Sequence, residues 1–210
     1  MYIISKRKYF TLCVLLVSFS NISNVWSFSL SSYNKKNRHK VTQTFDNFFA
    51  VEEGKLYRCK QLDKARFSHY IDKCKIKTIV NLRGENKDRQ WWKDEKQVIK
   101  EKDVKFFNIA MSAVRVPSKE NITKLLEIYA TAPRPILIHC QGGADRTGEA
   151  SAVWVLDQMR KSTKEALKQL DIKYGHRKNK NPAKCFFINK WEGREWALTR
   201  YDHENYPQYC

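Results

Sequence analysis

The chain alternates short apolar runs with longer stretches in which apolar residues recur every three or four positions. The runs read as buried strands and the longer stretches as helices with one face inward. Ile76–Leu82 (IKTIVNL) is apolar and rich in β-branched residues, as a buried strand requires. Gly54–Arg58, Val104–Ile109 and Pro135–His139 give three further strands. Asp63–Lys73 is expected to be a helix with Phe67, Tyr70 and Ile71 on one face, and Asp88–Lys102 a polar helix. Pro117 opens a helix carrying Ile122, Leu125, Leu126 and Tyr129 at helical spacing. Thr147–Met159 and Thr163–Tyr174 follow as helices, the second with Thr163 as its N-cap. The tail, Pro182–Cys210, holds Phe186, Phe187, Ile188, Trp191, Trp196 and Tyr201 and reads as a helix packed on the core. Strands alternating with helices predict an α/β domain: a central, mostly parallel sheet of four to five strands flanked by helices. Such sheets bind ligands beyond the carboxyl ends of their strands, and Cys140 stands at one of those ends.

The N-terminus follows a different pattern. Lys6, Arg7 and Lys8 precede an apolar run from Tyr9 to Phe19, too short to span a bilayer comfortably, and Ser27 offers a small residue for cleavage. Residues 1–27 therefore read as a signal peptide, which implies a secreted or periplasmic protein; an uncleaved membrane anchor is the rival reading. Residues 28–40 are polar and are expected to be a flexible leader, leaving 41–210 as one expected domain. The 210 residues carry 40 Lys+Arg against 22 Asp+Glu, a formal charge of +18. This balance suits anionic partners and is compatible with peripheral contact with an acidic membrane. No run of like charge is long enough for a nucleic-acid arm, and NKKNRHK (Asn34–Lys40) and KYGHRKNKNPAK (Lys173–Lys184) read as solvated faces.

The densest chemistry lies in ILIHCQGGADRTGEA (Ile136–Ala150). A strand delivers His139 and Cys140, then Gln141, Gly142, Gly143, Ala144 and Asp145 form a loop, and Arg146 and Thr147 lead into a helix. Two glycines let the backbone curl so that successive N–H groups face one concavity. That concavity meets a helix N-terminus, which makes it an anion site. The same field stabilises a thiolate, so Cys140 is expected to be a nucleophile of lowered pKa. Arg146 can grip two phosphate oxygens with its planar fork.

HCQGGADRTG resembles the phosphate-binding loop of the protein-tyrosine-phosphatase superfamily, His-Cys-x5-Arg-Thr/Ser-Gly. Together with LYRCKQL, where LYRSGQL is typical, and IKTIVNLRGE, it resembles the atypical dual-specificity branch over roughly Gly54–Tyr174. The resemblance implies a cysteine-phosphatase fold and a phosphomonoester hydrolase without cofactor or metal. Its substrates would be a phosphoprotein, a phosphoinositide or an inositol phosphate. Cys140 would attack phosphorus, the loop from Gln141 to Arg146 would bind the phosphoryl oxygens, and Thr147 would help the thiolate leave. His139 matches the histidine that orders the loop. Relatives usually carry a general-acid Asp between the third strand and the next helix, but Asn108–Glu120 contains none. Asp145 precedes Arg146 as in myotubularin-type lipid phosphatases and is the expected acid, with Glu85 and Asp88 in reserve. Arg58 and Arg83 are expected to make ion pairs or to approach the loop, and Arg115 to meet a second phosphate.

Six cysteines occur, and without Cys13 in the signal peptide five remain, so at least one thiol lacks a partner within the chain. There is no Cys-x-x-Cys and no zinc-type spacing. Cys59 and Cys140 could form a reversible bridge, and Cys185 and Cys210 could pair across the tail, whereas the intervening helix separates Cys59 from Cys74. Three other functions remain open at this point. They are a non-catalytic phosphate-binding module, a rhodanese-like sulfur carrier (disfavoured by Arg-Thr-Gly), and a basic polyanion binder.

Overall fold

The computed structural model describes residues 45–210. The expected signal peptide, leader, domain start at 41 and Cys13 lie outside the described residues. Five short strands form one sheet: β1 (Phe49–Glu52), β2 (Leu56–Cys59), β3 (Thr78–Asn81), β4 (Lys105–Asn108) and β5 (Ile136–His139). Their order is β1-β2-β5-β3-β4, with β1 antiparallel to β2 and every other pair parallel. Among the described residues seven helices accompany them: α1 (Lys64–Cys74), α2 (Gln90–Lys102), α3 (Lys119–Thr131), α4 (Asp145–Asp157), α5 (Thr163–Leu167), α6 (Pro182–Asn189) and α7 (Arg194–Thr199).

Both faces of the sheet are covered, which is why β5 is apolar at consecutive positions. Ile136 and Ile138 enter a core with Leu125, Leu126, Val153, Trp154 and Phe187. Leu137 points the other way, into a second core with Phe67, Tyr70, Ile79 and Val98. The period-two alternation thus joins two cores through one central strand.

Several boundaries differ from the sequence reading. Pro117 lies just outside α3, because the side chain of Ser118 accepts from Asn121 N–H (3.2 Å) and so fixes the start. Ser162, not Thr163, caps α5, accepting from Glu165 N–H (3.3 Å). That helix ends at Leu167, and a 3-10 turn capped by Asp171 covers Ile172–Tyr174. The tail is split by Gly193, at φ +114°, into α6 and α7, with two further 3-10 turns. α4 begins at Asp145, two residues earlier than expected, because Gly148 N–H donates to Ala144 O (2.8 Å) and closes the first turn there.

Candidate active site

Cys59, Asn81 and His139 lie in register at the carboxyl ends of β2, β3 and β5, so Cys140 emerges at the centre of that edge. The loop after it is fastened by its carbonyls. Gln61 N–H donates to Gln141 O (3.1 Å), the Asn47 amide to Gly142 O (2.9 Å), and the Arg58 guanidinium to Gly143 O (2.7 Å). With the carbonyls held outside, the amides are left for the concavity. Among the described residues, no backbone N–H from Gln141 to Thr147 donates a hydrogen bond. α4 has no side-chain cap, so its first turn adds its dipole to the same place. Gly143, at φ +70°, needs glycine: a Cβ there would sit 2.7 Å from Cys59 O. Gly142 does not, since its φ is ordinary and a Cβ would meet nothing within 4 Å. Gly148, in the Thr-Gly of the motif, lets α4 approach Gln169, whose carbonyl would be 2.9 Å from a Cβ.

Two buried networks support this loop. Arg58 is buried, and it donates to Gln169 O (2.9 Å) and Gln169 Oε1 (2.8 Å) as well as to Gly143. Its guanidinium lies 3.9 Å from the Tyr174 ring centroid, and burial lowers its pKa to about 10. The expected ion pair is not formed: among the described residues it pairs with no carboxylate, and its role is that of a fork holding backbone. On the other side, His139 Nε2 and Glu95 Oε1 are 2.8 Å apart, both side chains buried. Glu95 Oε2 accepts from Gln61 Nε2 (3.0 Å), and Gln61 Oε1 accepts from Arg83 (3.0 Å).

Cys140 is buried at 3% exposure. The Arg146 guanidinium lies against Leu82 O (3.5 Å) and Arg83 stacks on Trp91, 3.5 Å from its centroid. Burial, then the charge of Arg146, holds the Arg83 guanidinium below its usual pKa. Neither arginine pairs with a carboxylate among the described residues, so two cations share the mouth of the loop. The Thr147 hydroxyl is buried without a hydrogen-bond partner. Asp145 Oδ1 is 2.7 Å from Nδ1 of the buried His176, whose Nε2 is 3.5 Å from Cys185 Sγ. Burial would raise the Asp145 carboxyl, but hydrogen bonds from His176 and Asn181 and the charges of His176 and Lys184 outweigh it and bring it down.

The segment Asn108–Glu120 is tied to the tail. Lys184 Nζ donates to Arg115 O (2.5 Å), Val116 N–H to Tyr209 O (2.9 Å) and Tyr201 Oη to Pro117 O (2.6 Å). The Arg115 side chain is exposed. Lys184 also pairs with Glu149 (2.8 Å), both side chains buried; burial raises the Glu149 carboxyl to about 7, against the pull of Lys184. Glu85, a reserve acid, pairs with Lys87 at the surface (3.2 Å), and Asp88 is exposed. Cys59, Cys74, Cys140, Cys185 and Cys210 are all free thiols, so neither Cys59–Cys140 nor Cys185–Cys210 is bridged. Burial pushes the Cys59 thiol well up, which makes it a poor exchange partner. Glu95, Glu149, His176 and Lys184 escaped the sequence reading. For Glu95, Glu149 and Lys184 the signal was a charge inside an otherwise buried face, visible only once α2, α4 and α6 are placed; His176 lies in the loop before α6.

A family model described as "DSP-PTPase phosphatase fused to NAD+ Kinase" matches residues 20–185. The chain belongs to that family of dual-specificity phosphatases. Among the relatives of this DSP-PTPase domain is the inositol diphosphatase SIW14 of Saccharomyces cerevisiae, 33% identical over 109 residues. The match spans 49% of this chain and 37% of that protein's length. The catalytic core of S. cerevisiae SIW14, solved with citrate, superposes at a TM-score of 0.58 with 25% identity, covering 70% of this chain and 86% of that one. P. aeruginosa TpbA in complex with pTyr gives 0.56 and 18% identity, covering 71% and 86%. PTPMT1 in complex with PI(5)P gives 0.54 and 13%, covering 69% and 96%. These last two show the shared cysteine-phosphatase fold.

Proposed function

We propose that this DSP-PTPase chain is a cysteine-dependent phosphomonoester hydrolase working through a cysteinyl-phosphate. One observation carries the reading: among the described residues, the loop amides from Gln141 to Thr147 donate no hydrogen bond, and neither Arg83 nor Arg146 pairs with a carboxylate. Such a site is made for a tetrahedral dianion. Cys140 Sγ attacks phosphorus, and the ester P–O bond breaks with its electron pair going to the leaving oxygen. The loop amides and Arg146 hold the charge on the three equatorial oxygens. Water then attacks phosphorus, the P–S bond breaks, and its pair returns to sulfur with the buried Thr147 hydroxyl available to stabilise it. Asp145 is the proton-transfer group at the loop. The substrate is a phosphoprotein, phosphoinositide or inositol phosphate, in keeping with what the relatives above are described as acting on or binding. The excess of Lys and Arg favours the more highly charged of these. Residues 1–27 direct the chain to a secreted or periplasmic location, which N-terminal sequencing of the mature protein tests: retention of Met1 or Tyr2 rules it out.

The test of activity is turnover of phosphotyrosine peptide, phosphoinositides and inositol phosphates by the full chain, with Cys140→Ser as control. Turnover abolished in the variant is expected. Tungstate binding without turnover of any of these would instead indicate a phosphate-binding module.

A further inference from the structure

Asp145 is more firmly committed than a loop aspartate needs to be. It is the first residue of α4, and the His176 side chain lies wholly buried against its carboxylate at 2.7 Å. The other ring nitrogen of His176 faces Cys185 Sγ at 3.5 Å. A doubly protonated ring satisfies both contacts, giving one N–H to the carboxylate and one to sulfur. The titratable groups facing the pair from neighbouring elements are Lys184 and the Cys185 thiol on α6 and Glu149 one turn along α4, and Glu149 is itself occupied by Lys184. Asn181, before α6, adds a neutral hydrogen bond to the carboxylate.

Resting on the phosphatase reading above, we propose that His176 is a positioning residue that holds Asp145 as a carboxylate, so that Asp145 serves as the base for hydrolysis of the cysteinyl-phosphate and not as the acid for its formation. In the second half-reaction Asp145 takes a proton from the attacking water as the water oxygen bonds to phosphorus. The P–S bond breaks, the electron pair returns to Cys140 Sγ, and inorganic phosphate leaves. His176 keeps both its protons. In the first half-reaction the leaving oxygen departs as an anion and takes its proton from solvent. Formation of the cysteinyl-phosphate therefore depends on how stable that anion is, and phosphates with acidic leaving groups react fastest. The fold agrees with this division: Asn108–Glu120 carries no Asp and is tied to the tail at Arg115, Val116 and Pro117.

The experiment follows the phosphoenzyme by rapid quench, using aryl phosphates of graded leaving-group acidity, in wild type and His176→Asn. The asparagine keeps a donor toward Asp145 but not the charge. In wild type, formation should fall steeply as the leaving group becomes more basic. In His176→Asn, the acid limb of phosphoenzyme decay should move up by about one pH unit or more, and decay should slow more than formation. An unmoved limb, or formation insensitive to the leaving group in wild type, overturns the proposal. A readout independent of turnover is the His176 imidazole titration by NMR in Cys140→Ser protein. The ring should stay charged until about pH 9, and a ring neutral at pH 7 overturns the ion pair. Absence of any phosphoenzyme in wild type would refute the phosphatase reading instead, leaving the titration to decide on the pair.

Discussion

Replacing Gly143 by alanine strikes the loop where it has no room. The backbone there is at φ +70°, and a new Cβ would lie 2.7 Å from Cys59 O and 2.8 Å from both Cys59 C and Lys60 N. All three atoms belong to backbone at the end of β2, so no side chain can swing aside. The left-handed conformation costs a non-glycine residue about 1–2 kcal/mol. Overpacking against a fixed neighbour adds about 1–3 kcal/mol. The sum, about 2–5 kcal/mol, competes with the hydrogen bond from Arg58 to Gly143 O (2.7 Å) that holds the loop closed. Gly143→Ala should therefore lower Tm by roughly 5–15 °C and weaken tungstate binding at least 10-fold. Gly142→Ala is the matched control, since its Cβ meets nothing within 4 Å and should change stability by less than about 0.5 kcal/mol. Thermal melting with and without tungstate reads both variants. If Gly143→Ala binds and melts like wild type, or Gly142→Ala does equal damage, the loop geometry is wrong.

Three other outcomes follow from the buried charges. Lys184→Met strands Glu149 inside the core and should cost about 3–5 kcal/mol in urea unfolding, whereas adding Glu149→Leu should recover most of the loss; equal losses in both would refute a mutual pair. Stability should also report the Asp145–His176 pair through pH. His176 is raised to about 9, so its contribution is full below its unfolded value near 6.5 and is lost as pH rises through about 9. Asp145 is lowered, so its contribution is present above its unfolded value near 3.9 and is lost as pH falls below that. The gap between wild type and His176→Ala, measured by urea unfolding, should be widest near pH 5–6.5, about 1–3 kcal/mol, and should close above pH 9. Arg58→Lys loses the planar fork and should cost about 2–3 kcal/mol in urea unfolding and lower tungstate affinity, with loss of affinity alone ruling out its part in the core.

The parts of the molecule legible in the sequence were those where one local pattern suffices. Ile136–His139 shows its burial by composition, and His139–Gly148 shows its chemistry by spacing, so the strand, loop and helix came out together. β1 was missed because FAVE is half-buried at an edge, with one exposed residue, and carries no apolar run. The start of α4 was misplaced because the loop and the helix share residues: Asp145 and Arg146 belong to both. The two glycines of the loop looked equivalent, yet only Gly143 is held against β2, a contact between residues 84 positions apart. Glu95, Glu149 and Lys184 stayed hidden because a charge in a helix is ordinarily solvated, and His176 because it lies in a loop within a basic stretch; their burial depends on which elements pack together. The partner of Asp145 was hidden too, since no sequence rule joins it to a histidine 31 residues on.

The claim on which the rest depends is that sulfur of Cys140 carries the phosphoryl group. Mass spectrometry of acid-quenched wild-type protein, taken within the first turnover of a phosphotyrosine peptide or an aryl phosphate, tests it directly. The account predicts one phosphate adduct, on the peptide containing Cys140, absent from Cys140→Ser. Turnover of the same substrate by Cys140→Ser, or an adduct on any other residue, would contradict it.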